Sequence, residues 1–222
     1  MMTKIKFCGL TRPCDIEAAN EIKPDYIGFV FAPKSKRRVS YKQAVDLKNL
    51  LSKDIKAVGV FLNEDIDQVI SLLNLGIIDA AQLHGSESAD YIRRLQQETG
   101  KPVIKAFQIH SEEDVSAAEQ TNADYIILDA GTGEGKTFDW SLIHAFKKPY
   151  FLAGGLHPGN VTDAMHKLHP YALDVSTGIE TDGLKDKQKM AAFAAAVRKE
   201  ETEGQIQTDA SAFTAVSIFP KP

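Results

Sequence analysis

The chain has 222 residues, 43% hydrophobic and 25% charged, with a net charge of −4, the composition of an ordinary water-soluble globular protein. Its lysines and arginines are spread along the chain, which excludes a nucleic-acid-binding face, and no run approaches the roughly 20 apolar residues of a membrane helix. The two cysteines, Cys8 and Cys14, are too few and too close for a disulfide framework or a zinc cage, and the opening MMTKIKF lacks a signal-peptide core, so the chain reads as cytoplasmic.

Taken in order, the sequence alternates short apolar, β-branched runs with polar, amphipathic stretches. The runs are Lys4–Cys8, Tyr26–Phe31, Ala57–Phe61, Ala80–His84, Val103–Phe107, Tyr125–Asp129, Tyr150–Gly154 and Ala172–Ser176. Their ends are 22 to 30 residues apart, the length of a strand, a helix and two loops. Runs this apolar predict strands covered on both faces, as in parallel sheets. Between them, Arg12-Pro13 starts the first helix, with Pro in the first turn and Asp15 just inside. Asn63-Glu64-Asp65 opens the third helix, ahead of Ile66, Val69, Ile70 and Leu73 at helical spacing. Ser111-Glu112-Glu113 opens the fifth, and Met190, Phe193, Ala194 and Val197 form the apolar stripe of the last. Eight such units in one chain predict a single closed (β/α)8 barrel, a TIM barrel of α/β class over residues 1–199. An open doubly wound sheet is the alternative. Residues 200–222 fall outside the rhythm and read as a tail, either disordered or packed on the barrel.

A (β/α)8 barrel carries its active site at the C-terminal ends of its strands, so those ends supply the candidates. Cys8 closes strand one and is either a small core side chain or a reactive thiol. The helix that follows it and the basic loop Lys34, Lys36, Arg37, Arg38 are expected to lower its pKa. The basic loop itself, set at the mouth, is expected to contact ligand. Asp129 closes strand six and points into the mouth, where an unpaired carboxylate is unfavourable. His84 closes strand four beside Gly85, a setting that suits a structural histidine, and its place at the mouth also puts it among the substrate-binding candidates. The glycine-bearing turns after strands seven and eight, with Gly154, Gly155, Ser176, Thr177 and Gly178, have the backbone freedom and N–H donors to cradle a phosphate. Gly133, Gly135 and Lys136, in the loop after strand six, are expected to close over it. His166 and His169 lie three apart on a helix without an acidic partner, and no metal site is read there.

The ordered motifs KFCGLTRPCD, IGFVFAPKSKRRVS, VGVFLN, QLHGSE, IKAF, LDAGTGEGKTFDW, LAGGLHPGNV and DVSTGIETDGLKD resemble those of the phosphoribosylanthranilate isomerase family, from about Lys4 to about Lys199. The resemblance implies a single cofactor-free barrel that carries out an Amadori rearrangement on a small phosphorylated substrate, as a monomer or homodimer. It assigns Cys8 as general base, Asp129 as general acid, Arg37 as the anchor of the anthranilate carboxylate and Asp174 as a residue orienting the substrate. It gives the phosphate to Gly154, Gly155, Ser176, Thr177 and Gly178. The loop after strand six is shorter here than the family's usual one, and residues 200–222 are additional.

The chemistry asks for the same two groups. Opening an N-glycosidic sugar ring requires a proton on the ring oxygen, and the resulting iminium acidifies the C2 proton for removal by a base. At neutral pH a free carboxyl (pKa about 3.9) and a free thiol (about 8.5) rest in the opposite protonation states, so either the barrel shifts them or a minor tautomer of the pair reacts. Two alternatives stand beside this reading. One is another phosphate-binding barrel enzyme acting on a related phosphoribosyl compound, and the other is a barrel that binds a phosphometabolite without catalysis.

Overall fold

The computed structural model describes residues 2–129, 140–143, 146 and 148–199. Eight parallel strands close into a barrel in sequence order: β1 (Lys4–Cys8), β2 (Tyr26–Val30), β3 (Lys56–Phe61), β4 (Ala80–Leu83), β5 (Val103–Gln108), β6 (Tyr125–Asp129), β7 (Tyr150–Ala153) and β8 (Ala172–Val175). Strand β1 pairs with β2 on one side and β8 on the other, and the second pairing is the closure. The expected (β/α)8 barrel is the fold observed, and the open sheet is excluded.

Helices α1 (Pro13–Ile22), α2 (Tyr41–Leu50), α3 (Ile66–Asn74), α4 (Ala89–Thr99), α5 (Glu112–Gln120), α6 (Val161–Leu168) and α7 (187–199) pack outside. Between β6 and β7 the described residues include a 3-10 turn, Trp140–Ile143. Helix starts follow local chemistry. Pro13 stands in the first turn of α1, where its missing N–H leaves no donor unmet. Asp65 and Ser88 accept from first-turn amides of α3 and α4, caps worth about 1 kcal/mol each. The stripe Met190, Phe193, Ala194 and Val197 is buried against the barrel.

Strand alternation divides the interior in two. Side chains such as Ile5, Phe7, Ala81, Leu83, Leu128 and Leu173 face the helices and form the larger core. Val58, Ala80, Ile104, Ile127, Phe151 and Ala172 fill the barrel itself, above a floor of Tyr26, Tyr125 and Tyr171 at its N-terminal end. Toward the other end the inward positions turn polar, with Lys6, Gln82 and Asp174 all buried. That change of character marks where the apolar plug stops and the site begins.

Candidate active site

A cavity of about 430 Å³ opens at the C-terminal mouth of the barrel, within the size range of small-ligand sites. Its floor is a buried ion pair. Lys6 on β1 and Asp174 on β8 are register partners, and Nζ stands 2.7 Å from Oδ2. Burial alone would lower the lysine's pKa, but the attraction of Asp174 and Cys8 outweighs it and the net shift is upward. Breaking such a pair by removing one partner costs roughly 3–5 kcal/mol. The second oxygen, Asp174 Oδ1, is buried without a partner among the described residues, as is Gln82 Oε1 from β4, and both residues line the cavity.

Cys8 lies two residues beyond Lys6 on the same inward face and also lines the cavity. Its neighbour across β2 is Gly28, where a Cβ would come within 2.8 Å of Cys8 Sγ, so the glycine of YIGFV makes room for the thiol. The expected lowering of the thiol pKa is corrected here. Burial pushes it up, and the pull of Lys6 and Lys185 toward the thiolate does not overcome that. The basic loop gives little help, because Lys34, Lys36 and Arg38 are exposed and only Arg37 of the four lines the cavity.

Asp129, at the end of β6, lines the cavity from another wall. His84 also faces it, with Nε2 3.7 Å from Asp129 Oδ2. That is too long for a hydrogen bond, and the imidazole stands on the cavity wall. The neighbouring loops are held by a second buried pair: Lys105 Nζ bonds Glu87 at 2.9 Å and the Gly85 carbonyl at 2.6 Å.

The turns after β7 and β8 meet. Gly154 and Gly155 have φ of +90° and +66°, where any other residue is strained, and Asn160 Nδ2 donates to the Gly155 carbonyl at 2.9 Å. Both glycines line the cavity with Ser176 and Thr177. Gly178 does not line it. A Cβ there would lie 1.9 Å from the Leu156 carbonyl oxygen, so this glycine lets one turn pack on the other. The Ser176 hydroxyl donates to the Cys8 carbonyl at 3.1 Å and thereby ties β8 to β1.

Arg37 reaches the cavity from the loop after β2 while its Nε and Nη2 hold both carboxylate oxygens of Glu180, at 2.6 and 2.7 Å. Beside it, Val30, Val60 and Leu62 form an apolar wall. Sequence reasoning missed Lys6, Glu180 and Lys185. All three lie inside quoted motifs, and nothing in their spacing shows that they are buried. Gly133, Gly135, Lys136 and the tail 200–222 lie outside the described residues. Among the described residues no cluster of His, Cys, Asp and Glu suited to a metal is present, and no helix is long and apolar enough to cross a membrane.

Fold and cavity together define a (β/α)8-barrel protein with ionisable side chains and glycine-bearing turns at the C-terminal mouth. The model of the N-(5'-phosphoribosyl)anthranilate (PRA) isomerase family matches residues 5–196, and the chain belongs to that family. It is 45% identical over 204 residues to the N-(5'-phosphoribosyl)anthranilate isomerase of Thermoanaerobacter sp. (strain X514), covering 89% of this chain and 98% of that protein. The crystal structure of phosphoribosyl anthranilate isomerase from Thermotoga maritima superposes with a TM-score of 0.82 at 35% identity, over 89% of this chain and all of that one. The crystal structure of a phosphoribosyl anthranilate isomerase in complex with reduced 1-(o-carboxyphenylamino)-1-deoxyribulose 5-phosphate gives a TM-score of 0.80 at 34% identity, over 89% of this chain and all of that one.

Proposed function

We propose that this chain isomerises N-(5-phosphoribosyl)anthranilate to 1-(2-carboxyphenylamino)-1-deoxyribulose 5-phosphate, a step of tryptophan biosynthesis in the cytoplasm. The observation that carries the site assignment is the convergence of Cys8 and Asp129, from β1 and β6, on one cavity with glycine-bearing turns and an arginine at its edges. The two anionic ends of the substrate set its pose. Its phosphate lies against the backbone N–H groups of the turns at Gly154-Gly155 and Ser176-Thr177. Its carboxylate pairs with Arg37, which lays the aromatic ring along Val30, Val60 and Leu62.

Asp129, in its acid form, donates a proton to the ring oxygen. The bond from C1 to that oxygen breaks, and the nitrogen lone pair forms the iminium. Cys8, as thiolate, takes the C2 proton, and the electron pair of that bond becomes the C1=C2 double bond of the enolamine. Loss of the C2 hydroxyl proton and protonation of C1 complete the ketone and return both groups to their starting forms. Burial disfavours the thiolate, and the adjacent Lys6 ammonium offsets part of that penalty when the charge forms.

The test is turnover of phosphoribosylanthranilate followed by loss of substrate. The expected result is activity in the wild type, with Cys8→Ala and Asp129→Asn each reduced by at least about 100-fold while product-analogue binding is retained. Cys14→Ala is expected to match the wild type. A wild-type rate in Asp129→Asn would remove the acid assignment, and equal behaviour of the two cysteine variants would remove the base.

A further inference from the structure

Between β8 and α7 the chain makes a hairpin of two residues a side, β9 (Glu180–Thr181) and β10 (Leu184–Lys185). Its turn, Asp182-Gly183, has positive φ at both positions, 52° and 78°, the two-residue geometry that matches strand twist. The register sets Glu180 directly opposite Lys185. Both side chains are buried, 7% and 2% exposed, behind the cavity-lining residues Arg37 and Ser176 that they contact. The Lys185 ammonium donates to Glu180 Oε1 at 2.6 Å, to the Ser176 carbonyl at 2.9 Å and to the Ser176 hydroxyl at 3.3 Å. Arg12 anchors the backbone from the other side through a 2.7 Å bond to the Lys185 carbonyl. The Glu180 carboxylate is therefore held from behind and cannot swing.

Its front is occupied by Arg37. A guanidinium has two edges that accept a carboxylate in bidentate fashion, one made by Nε with one Nη and one made by both Nη. Glu180 takes the Nε–Nη2 edge. No bond among the described residues falls on Nη1, and Arg37 lines the cavity. The stem of the arginine is pinned as well, since a Cβ at Gly9 would lie 2.4 Å from Arg37 Cδ. Two cations, Arg37 and Lys185, face one carboxylate, Glu180, while Lys6 and Asp174 cancel each other. The wall thus carries one positive charge in excess, which a ligand carboxylate on the free edge would neutralise.

We infer that Glu180, locked by Lys185, is a positioning residue that holds the side edge of Arg37 so that its end edge meets the substrate carboxylate. This rests on the reading of Arg37 as the carboxylate anchor. Glu180 touches no reacting atom. It removes the rotamer freedom that a long, half-exposed arginine would otherwise lose on binding.

The experiment compares wild type, Glu180→Gln, Arg37→Met and the double variant on phosphoribosylanthranilate and on the phosphoribosylaniline that lacks the carboxylate, with thermal melting to verify folding. Arg37→Met is expected to raise KM for the carboxylate substrate at least about tenfold, equivalent to 1.4 kcal/mol. Glu180→Gln is expected to raise it about tenfold as well, with kcat within about threefold and no change on the aniline compound. In the Arg37→Met background Glu180→Gln should add less than about twofold. Should Glu180→Gln fail to fold, Glu180→Asp keeps the charge but withdraws it by one methylene, and the same carboxylate-dependent loss is expected. The inference is overturned if the Glu180 variants leave KM unchanged while Arg37→Met raises it, or if they impair both substrates equally. If Arg37→Met itself has no carboxylate-dependent effect, the anchor reading falls first and the inference falls with it.

Discussion

The thiol of Cys8 sits between opposing influences. Lys6, in the same strand and two residues back, favours its ionised form, while the barrel wall and the nearby Asp174 charge favour its neutral form. Burial is the largest of these, so the folded protein holds the proton to higher pH than an ordinary thiol does. Thiol reagents attack the thiolate. Cys14 is exposed and serves as an internal control. With a small alkylating reagent, the pH midpoint for labelling Cys8 is expected above the ordinary value of about 8.5, read by mass spectrometry of the two peptides. A Cys8 midpoint below that value would mean that Lys6 and Lys185 dominate and that the base is poised as thiolate at neutral pH.

At the scale of elements, the site is made by turns that pack on each other rather than by strands alone. The turns after β7 and β8 come so close that Gly178 has no space for a methyl group beside the Leu156 carbonyl. Gly178→Ala is therefore expected to push the Ser176-Thr177 turn away from Gly154-Gly155, destabilising the fold by about 1–3 kcal/mol. It should also weaken inhibition by ribose 5-phosphate about tenfold. Urea unfolding and a competitive inhibition series check the two effects, and a variant with wild-type values in both would show that the turns adapt independently. Gly178 was read from the sequence as a direct phosphate ligand. The structure adds a packing task that the sequence did not show, because a glycine required by a neighbouring carbonyl and one required by a ligand look the same along the chain. Cys8 and Asp129 were readable as cavity-lining residues from strand ends alone, since a barrel presents those ends at one face. Glu180 and Lys185 were not, because a hairpin of two residues a side has no periodicity to detect.

At the scale of the molecule, barrel closure between β1 and β8 joins residues 168 positions apart, as in the Lys6–Asp174 pair. The relative with 45% identity matches 98% of its own length within 89% of this chain, so the cooperative unit is expected to end near residue 199. A chain stopped there should keep its melting temperature within about 2 °C and its kcat/KM within about twofold. A tenfold loss would assign residues 200–222 to the fold or the site.

From the sequence alone came the eight strands in barrel order, the helix starts at Pro13, Asp65 and Ser111, and the gathering of Cys8, Asp129 and the glycine turns at one end. All of these depend on local pattern, namely strand length, helical spacing, capping chemistry and turn residues. Only the tertiary structure decided that Lys6 neutralises Asp174, that Glu180 and Lys185 frame Arg37, that the Ser176 hydroxyl is turned to the Cys8 carbonyl, and that burial shifts the thiol's pKa upward. Each of these is a matter of burial and of contacts between residues far apart in the chain. Desolvation and charge pairing exist only once the barrel has closed and water has left its walls.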